Sequence, residues 1–286
     1  MNTKLKAYDL LQKVRQQSLV VHHLTNWVTI NDCAQIVKTL GASPVMAHAP
    51  EEVADMTQIA SALVLNIGTL TVEFVEAMKT AAASANRKGI PVILDVCGAG
   101  ATAMRDRKVS ELLDQVKIDI IKGNTSEIAR VSGENIQTKG VDATAVALDL
   151  ETLAQTLALR CRATVVITGK VDIVAGDRRI YHVKNGDPLM TTVVGTGCMA
   201  ASVIGAFAAV EADYGKAAAC ALACYEIAAE LAAKKSRGPA WPVLWRAADG
   251  SRAGARGFTP PTFSASPGLA TSPRRPPRIL RAAEPV

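Results

Sequence analysis

Short apolar, β-branched runs bounded by turn residues recur along the chain: LVVHHL (19–24), ALVLNIG (62–68), PVILDV (91–96), IDIIKGN (118–124) and TVVITG (164–169). Between them, 28–40, 71–88, 106–116, 125–132 and 142–162 carry apolar residues at helical spacing. Strands that read as unbroken apolar runs, separated by helices, imply a mostly parallel sheet covered on both faces. DIVAG and RIYHVKNG, joined by a tight Gly-Asp turn, predict a hairpin at one edge of that sheet. Two further helices are expected over 196–210 and 214–235. The second is Ala-rich, with Cys220 and Cys224 one turn apart as small core residues.

Composition changes this picture only after Lys235. Nine of the 13 prolines fall in 237–286. Residues 1–236 hold 15 Lys and 9 Arg against 24 acidic residues, which cancel, while 237–286 hold 8 Arg against 2 acidic residues and supply the whole net charge of +6. The reading is therefore one domain over 1–239 and an atypical Arg/Pro-rich tail over 240–286 without sustained period, disordered and not packed on the body. A neutral body argues against nucleic acid as a partner. Residues 188–210 are uncharged, but Thr and Gly interrupt their first half, and the apolar run from Cys198 to Val210 has the length of a buried helix, so no membrane span is expected. The six cysteines show no CxxC pair, and the first residues are polar and amphipathic. Reduced thiols and a cytoplasmic location follow as expectations.

Candidate chemistry gathers at the predicted carboxyl ends of the strands, where open α/β sheets bind ligands: HLTN (23–26), NIGT (66–69), LDVCGAGA (94–101), KGNTSE (122–127), ITGK (167–170) and VVGTGC (193–198). Gly195-Thr196-Gly197-Cys198 opening an apolar helix is suited to an anion, because glycines admit close approach and the first helical N–H groups point outward. Close helix packing is the other reading of the same glycines. Asp95 ends an apolar strand, where a carboxylate needs a cation, a donor or a helix to cap. Asn124-Thr125-Ser126-Glu127 has the form of a capping box, and Glu127 could also serve Mg²⁺, which takes one or two carboxylates besides phosphate. Lys122 is a point charge for a triphosphate or a solvated loop lysine. His22 and His23 alternate across a strand, so at most one faces the cleft.

Taken together, HHLTN, LGASPVMAHAPEEVADM (40–56), LVLNIGTL, ILDVCGAGAT, IKGNTSEIA, KGVDAT (139–144), VVITGKVD and GDPLMTTVVGTGCMAASVIGAF resemble the hydroxyethylthiazole kinase family of thiamine salvage. The resemblance runs from about residue 10 to Pro239. It implies a ribokinase-like three-layer α/β/α fold and transfer of phosphate from ATP, with Mg²⁺, to the primary hydroxyl of 4-methyl-5-(2-hydroxyethyl)thiazole. It implies a homotrimer with the site at the subunit boundary. By position, Met46, Gly195 and Asn26 meet the thiazole, Lys122, Thr168 and Gly197 meet ATP, and Asp95 and Glu127 serve the metal. Cys198 is then a non-covalent proton acceptor.

The chain departs from this pattern in three places. Val96-Cys97 stands where Pro-Val is usual, and Lys122 stands where Arg is usual, which turns a bidentate phosphate grip into a point charge. After KKSRGP the family's Gly/Ser-Phe turn and last amphipathic helix are replaced by the tail, as a shifted reading frame in GC-rich DNA would produce. Three rivals follow: an ATP- or ADP-dependent NAD(P)H-hydrate dehydratase on the same scaffold, an acyl transferase using Cys198 as nucleophile, and a nucleic-acid binder using the tail. The first typically carries Asp after the helix-opening glycines, the second lacks a well-placed His, and the third lacks a stacking platform.

Overall fold

The computed structural model describes residues 6–133, 149–176 and 179–235, and the backbone of 263–267. Its elements run α1 (Ala7–Gln16), β1 (Val20–Leu24), α2 (Ile30–Leu40), β2 (Ser43–Val45), α3 (Val53–Ile59), β3 (Ala62–Asn66), α4 (Val72–Lys88), β4 (Val92–Asp95) and α5 (Ala103–Gln115). There follow β5 (Ile120–Asn124), α6 (Thr125–Ser132), α7 (Leu150–Cys161), β6 (Thr164–Thr168), β7 (Asp172–Ala175), β8 (Arg179–Val183), a 3₁₀ turn (Pro188–Thr192), α8 (Thr196–Ala208), α9 (Tyr214–Lys235) and β9 (Phe263–Pro267).

The nine described strands form one sheet in the order β2-β1-β3-β4-β5-β6-β7-β8-β9. Pairing is parallel from β2 through β6 and antiparallel from β6 through β9. Alternation along each strand feeds two cores. Val21, Val64, Ile93, Ile120 and Val166 pack with α1, α2, α8 and α9. Their neighbours Leu63, Leu65, Val92, Leu94 and Ile121 pack with α4 to α7. This is the three-layer sandwich expected from the alternation of runs and helical periods. Cys220 lies in the first core and Cys224 packs against it, as expected of small core residues. Among the described residues no helix is long and apolar enough to cross a membrane.

Local chemistry moves some boundaries. α2 starts at Ile30 because the Asn26 side-chain oxygen takes the N–H groups of Val28 and Thr29 and holds 26–29 as a turn. α5 starts three residues early because Thr102 caps it, accepting from Arg105 N at 3.3 Å. α7 is described from Leu150, capped by Asp149, and 142–148 lie outside the described residues.

One expectation is corrected. Phe263–Pro267 of the tail pairs antiparallel with β8, from Val183↔Phe263 to Arg179↔Pro267. The sheet therefore carries part of a segment expected to stay off the body. The physical reason is that an edge strand offers a row of unpaired backbone groups, and a ladder formed there asks little of the added sequence. The rest of 240–286 lies outside the described residues.

Candidate active site

Parallel register sets three polar residues side by side: Asn66 pairs with Asp95, and Asp95 with Lys122, at the carboxyl ends of β3, β4 and β5. Asn26 follows the end of β1, and α8 brings its first turn over the same row. Asn26, Asn66, Asp95, Lys122 and Cys198 are each between 1% and 9% exposed. Lys122 is thus no solvated loop lysine. Its Nζ lies 3.4 Å from both carboxylate oxygens of Asp95, and a β-carbon on Gly197 would sit 3.0 Å from it, so the ammonium faces the start of α8. The Asp95 carboxylate also accepts from Asn66 Nδ2 at 2.8 Å.

Gly195 precedes α8 with φ +88°, a left-handed conformation that L side chains rarely adopt. A β-carbon there would collide with Thr29 Cγ2. Both facts require glycine at the point where the chain turns into α8. No side chain caps that helix start, so its leading N–H groups and dipole favour an anion.

Cys198 Sγ accepts from Asn26 Nδ2 at 3.2 Å. Its thiol is held down at about 5, first by a hydrogen bond from the Cys97 thiol and then by the charge of Lys122 and the Asn26 donor, against its burial. That bond correspondingly pushes Cys97 up. Burial pushes the Asp95 carboxyl above its ordinary value, and the charge of Lys122 opposes that shift. Burial also opposes the charge of Lys122, yet the Asp95 and Glu127 carboxylates keep it above its ordinary value. The cleft thus combines a fixed cation, a thiolate and a carboxyl that a further cation would ionise.

Glu127 completes the expected capping box of α6: Asn124 Oδ1 accepts from its N–H at 2.9 Å, and its Oε2 accepts from Asn124 N at 2.8 Å. Its other oxygen accepts from Gly98 N at 2.7 Å, tying α6 to the loop after Asp95. Thr168 closes β6 opposite Asn124, its hydroxyl 3.4 Å from Gly123 O. Met46, past the end of β2, is half-buried against the core that contains Cys198. His22 and His23 are both buried; His22 bonds Thr57 Oγ1 and Ala47 O, each at 2.9 Å, and His23 bonds Val21 O at 3.0 Å. Neither contributes to the polar row.

Sequence reasoning missed Asn66 as a link, Cys97 as a donor and Arg105 as a strut. Arg105 donates to Ile67 O and Gly68 O at 2.8 Å and to Cys97 O at 3.1 Å, binding two strand-end loops together. The asparagine at a strand end was a visible signal. The arginine, inside a polar helical pattern, gave none.

A profile of the hydroxyethylthiazole kinase family matches residues 11–243. The chain belongs to the hydroxyethylthiazole kinase family. Among the members of that family, the hydroxyethylthiazole kinase of Methanosarcina mazei is 55% identical over 229 residues, spanning 80% of this chain and 88% of that protein. The solved hydroxyethylthiazole kinase protein of Pyrococcus horikoshii superposes with a TM-score of 0.81 at 37% identity, covering 91% of this chain and 98% of its own. A ribokinase-like superfamily protein from Enterococcus faecalis superposes with a TM-score of 0.58 at 16% identity, over 87% of this chain and 96% of its own, and shares the fold alone. The family's fold is thus the ribokinase-like one expected from the sequence.

Proposed function

We propose that this protein transfers the terminal phosphoryl group of ATP to the primary hydroxyl of 4-methyl-5-(2-hydroxyethyl)thiazole, in thiamine salvage. The observation that carries the reading is the meeting of Lys122 Nζ, the uncapped start of α8 and Cys198 Sγ in one buried cleft. Phosphoryl transfer spreads charge over equatorial oxygens and needs positioning and neutralisation more than a strong base. The leading N–H groups of α8 and the Lys122 ammonium meet that charge. Cys198 Sγ, held as a thiolate, takes the hydroxyl proton late in the transfer, and no covalent enzyme intermediate forms. Met46, Gly195 and Asn26 are assigned to the thiazole, and Lys122, Thr168 and Gly197 to ATP. Asn26 acts there through its backbone and shape, because its side-chain oxygen and nitrogen are engaged within the protein.

Among the described residues no three His, Cys, Asp or Glu side chains converge on one point. Mg²⁺ takes one or two protein carboxylates and shares the rest of its coordination with phosphate and water. Asp95 and Glu127 are the residues that would hold it. When bound, Mg²⁺ supplies charge neutralisation on the phosphate oxygens.

The family resemblance implies a homotrimer with the site at its subunit boundary, and the exposed apolar side chains Trp27, Val28, Val72 and Val194 are ones such an interface would cover. Trp27 stacks on Phe74 at 6.0 Å, next to Val72, and Val194 precedes Gly195 beside Thr29. Isolated monomers rarely leave such residues clustered in water. The reading places the protein in the cytoplasm.

The test is ADP release from Mg-ATP with and without the thiazole alcohol. Release that depends on the alcohol supports the kinase. Turnover of hydrated NADH in its place assigns the chain to the dehydratase chemistry of the shared scaffold.

A further inference from the structure

Asn66 stands between the two chemically active ends of the cleft, and its side chain has one permitted orientation. Asn26 Oδ1 accepts three donors: Val28 N at 3.1 Å, Thr29 N at 3.0 Å and Thr29 Oγ1 at 3.0 Å. Its amide nitrogen must therefore point the other way, and it donates to Cys198 Sγ at 3.2 Å and to Asn66 Oδ1 at 3.0 Å. Asn66 Oδ1 also takes Gly68 N at 2.8 Å, which turns Asn66 Nδ2 toward Asp95 Oδ2 at 2.8 Å. Reversing the Asn66 amide would set its NH₂ against two donors and its oxygen against a carboxylate. In a site this buried, such unmet groups are costly.

We propose that Asn66 is a positioning residue for phosphoryl transfer, whose amide, through Asn26, locks the Cys198 thiol and the Asp95 carboxylate into one rigid unit. The proposal rests on the kinase reading above. The chain of donors runs outward from the two amides to both ends, so each end is held as an acceptor. The sulfur accepts from Asn26 and from the Cys97 thiol, and a further lone pair is left for the alcohol's proton. The carboxylate keeps Oδ2 on Asn66, Lys122 stands 3.4 Å from both oxygens, and Oδ1 is left for a cation. Asn66 touches no substrate atom in this scheme and acts through the residues it holds.

Two variants test this. Asn66→Ala removes the link, and Asn66→Asp keeps the shape and the acceptor for Asn26 and Gly68 while deleting the donor to Asp95, so it decides the question if the alanine variant does not fold. Each is expected to lower kcat about tenfold to a hundredfold, with KM for either substrate within about twofold. Because the link to Cys198 is already lost there, adding either change to Cys198→Ala should cost less than the same change costs the parent, the remainder being the link to Asp95. A readout without turnover is the rate at which iodoacetamide alkylates Cys198, located by peptide mapping, which should slow at least about threefold. Losses that multiply in the double variants, a raised KM with unchanged kcat, or an unaltered alkylation rate would each overturn the proposal. A parent chain without thiazole-dependent ADP release sinks the kinase reading instead, and the alkylation rates still judge the relay.

Discussion

Substituting Gly195 by alanine puts the start of α8 to a quantitative test. Two separable penalties act there. The backbone at φ +88° costs an alanine about 1–2 kcal/mol. The new methyl also collides with Thr29 Cγ2, whose neighbour Cβ would lie 2.9 Å away, and forcing a methyl into a packed contact costs about 1–3 kcal/mol. The expected destabilisation is their sum, about 2–5 kcal/mol. Thr29→Ser removes Cγ2 while keeping the hydroxyl that donates to Asn26 Oδ1 at 3.0 Å; alone it costs about 1 kcal/mol for one buried methyl. In the double variant only the Cγ2 part of the packing share returns, because Cβ stays 2.9 Å from the new methyl, and the backbone share does not return. Urea unfolding of the four proteins, extrapolated to water, measures this cycle. In parallel, Gly195→Ala should lose on the order of a hundredfold in kcat/KM through displacement of the leading N–H groups, and the double variant should regain part of it. A Gly195→Ala protein as stable as the parent, or a double variant no better than the product of the singles, would refute the collision and the strain.

Other outcomes follow from the same cleft. Asp95→Asn is expected to stay folded yet lose most turnover, with the deficit deepest at limiting Mg²⁺, and titration of activity against Mg²⁺ checks it. Cys198→Ala should lose about tenfold to a hundredfold while Cys198→Asp matches or exceeds the parent, since Asp accepts a proton in the same place; a folded but inactive Asp variant contradicts this. His23 titrates at about 4 in the folded chain because burial opposes its charge, against an ordinary histidine value of 6.5. The unfolded chain therefore binds the proton first, and stability should fall as pH drops from about 6.5 toward 4, by up to about 3 kcal/mol, with a smaller slope in His23→Leu. Activity should decline on dilution as the subunits separate, and a sedimentation series that finds fully active monomers would exclude the shared site.

The elements legible in the sequence were those whose apolar runs are long. β1, β3, β4, β5 and β6 fell where the β-branched runs lie, because strands covered on both faces are mostly apolar, although β1 buries His22 and His23 midway. β2 was hidden by its length of three residues and by Pro44, which an edge strand tolerates. α3, seven residues within a stretch rich in small and acidic residues, offered too few turns for a period to show. At the site, strand-end polar residues were readable one by one, and the capping box of Glu127 was readable outright. What could not be read was their mutual contact. Residues 26, 66, 95, 97 and 198 meet only because the sheet sets its strand ends in register and α8 crosses them, and a sequence carries no local trace of that meeting. The depressed thiol of Cys198 owes most to the Cys97 donor, a contact that no local pattern announces.

The ninth strand has a consequence for how this chain tolerates change at its end. Recognition between β8 and Phe263–Pro267 runs through peptide groups, which every residue but proline possesses in full, so the rim of the sheet can adopt whatever extended peptide reaches it. Selection for a particular sequence is weakest at such a rim, and tethering supplies the high local concentration that a free peptide would lack. A body of this architecture can thus take up an extended terminal segment and, with it, move the open border of the sheet one strand outward, from β8 to β9.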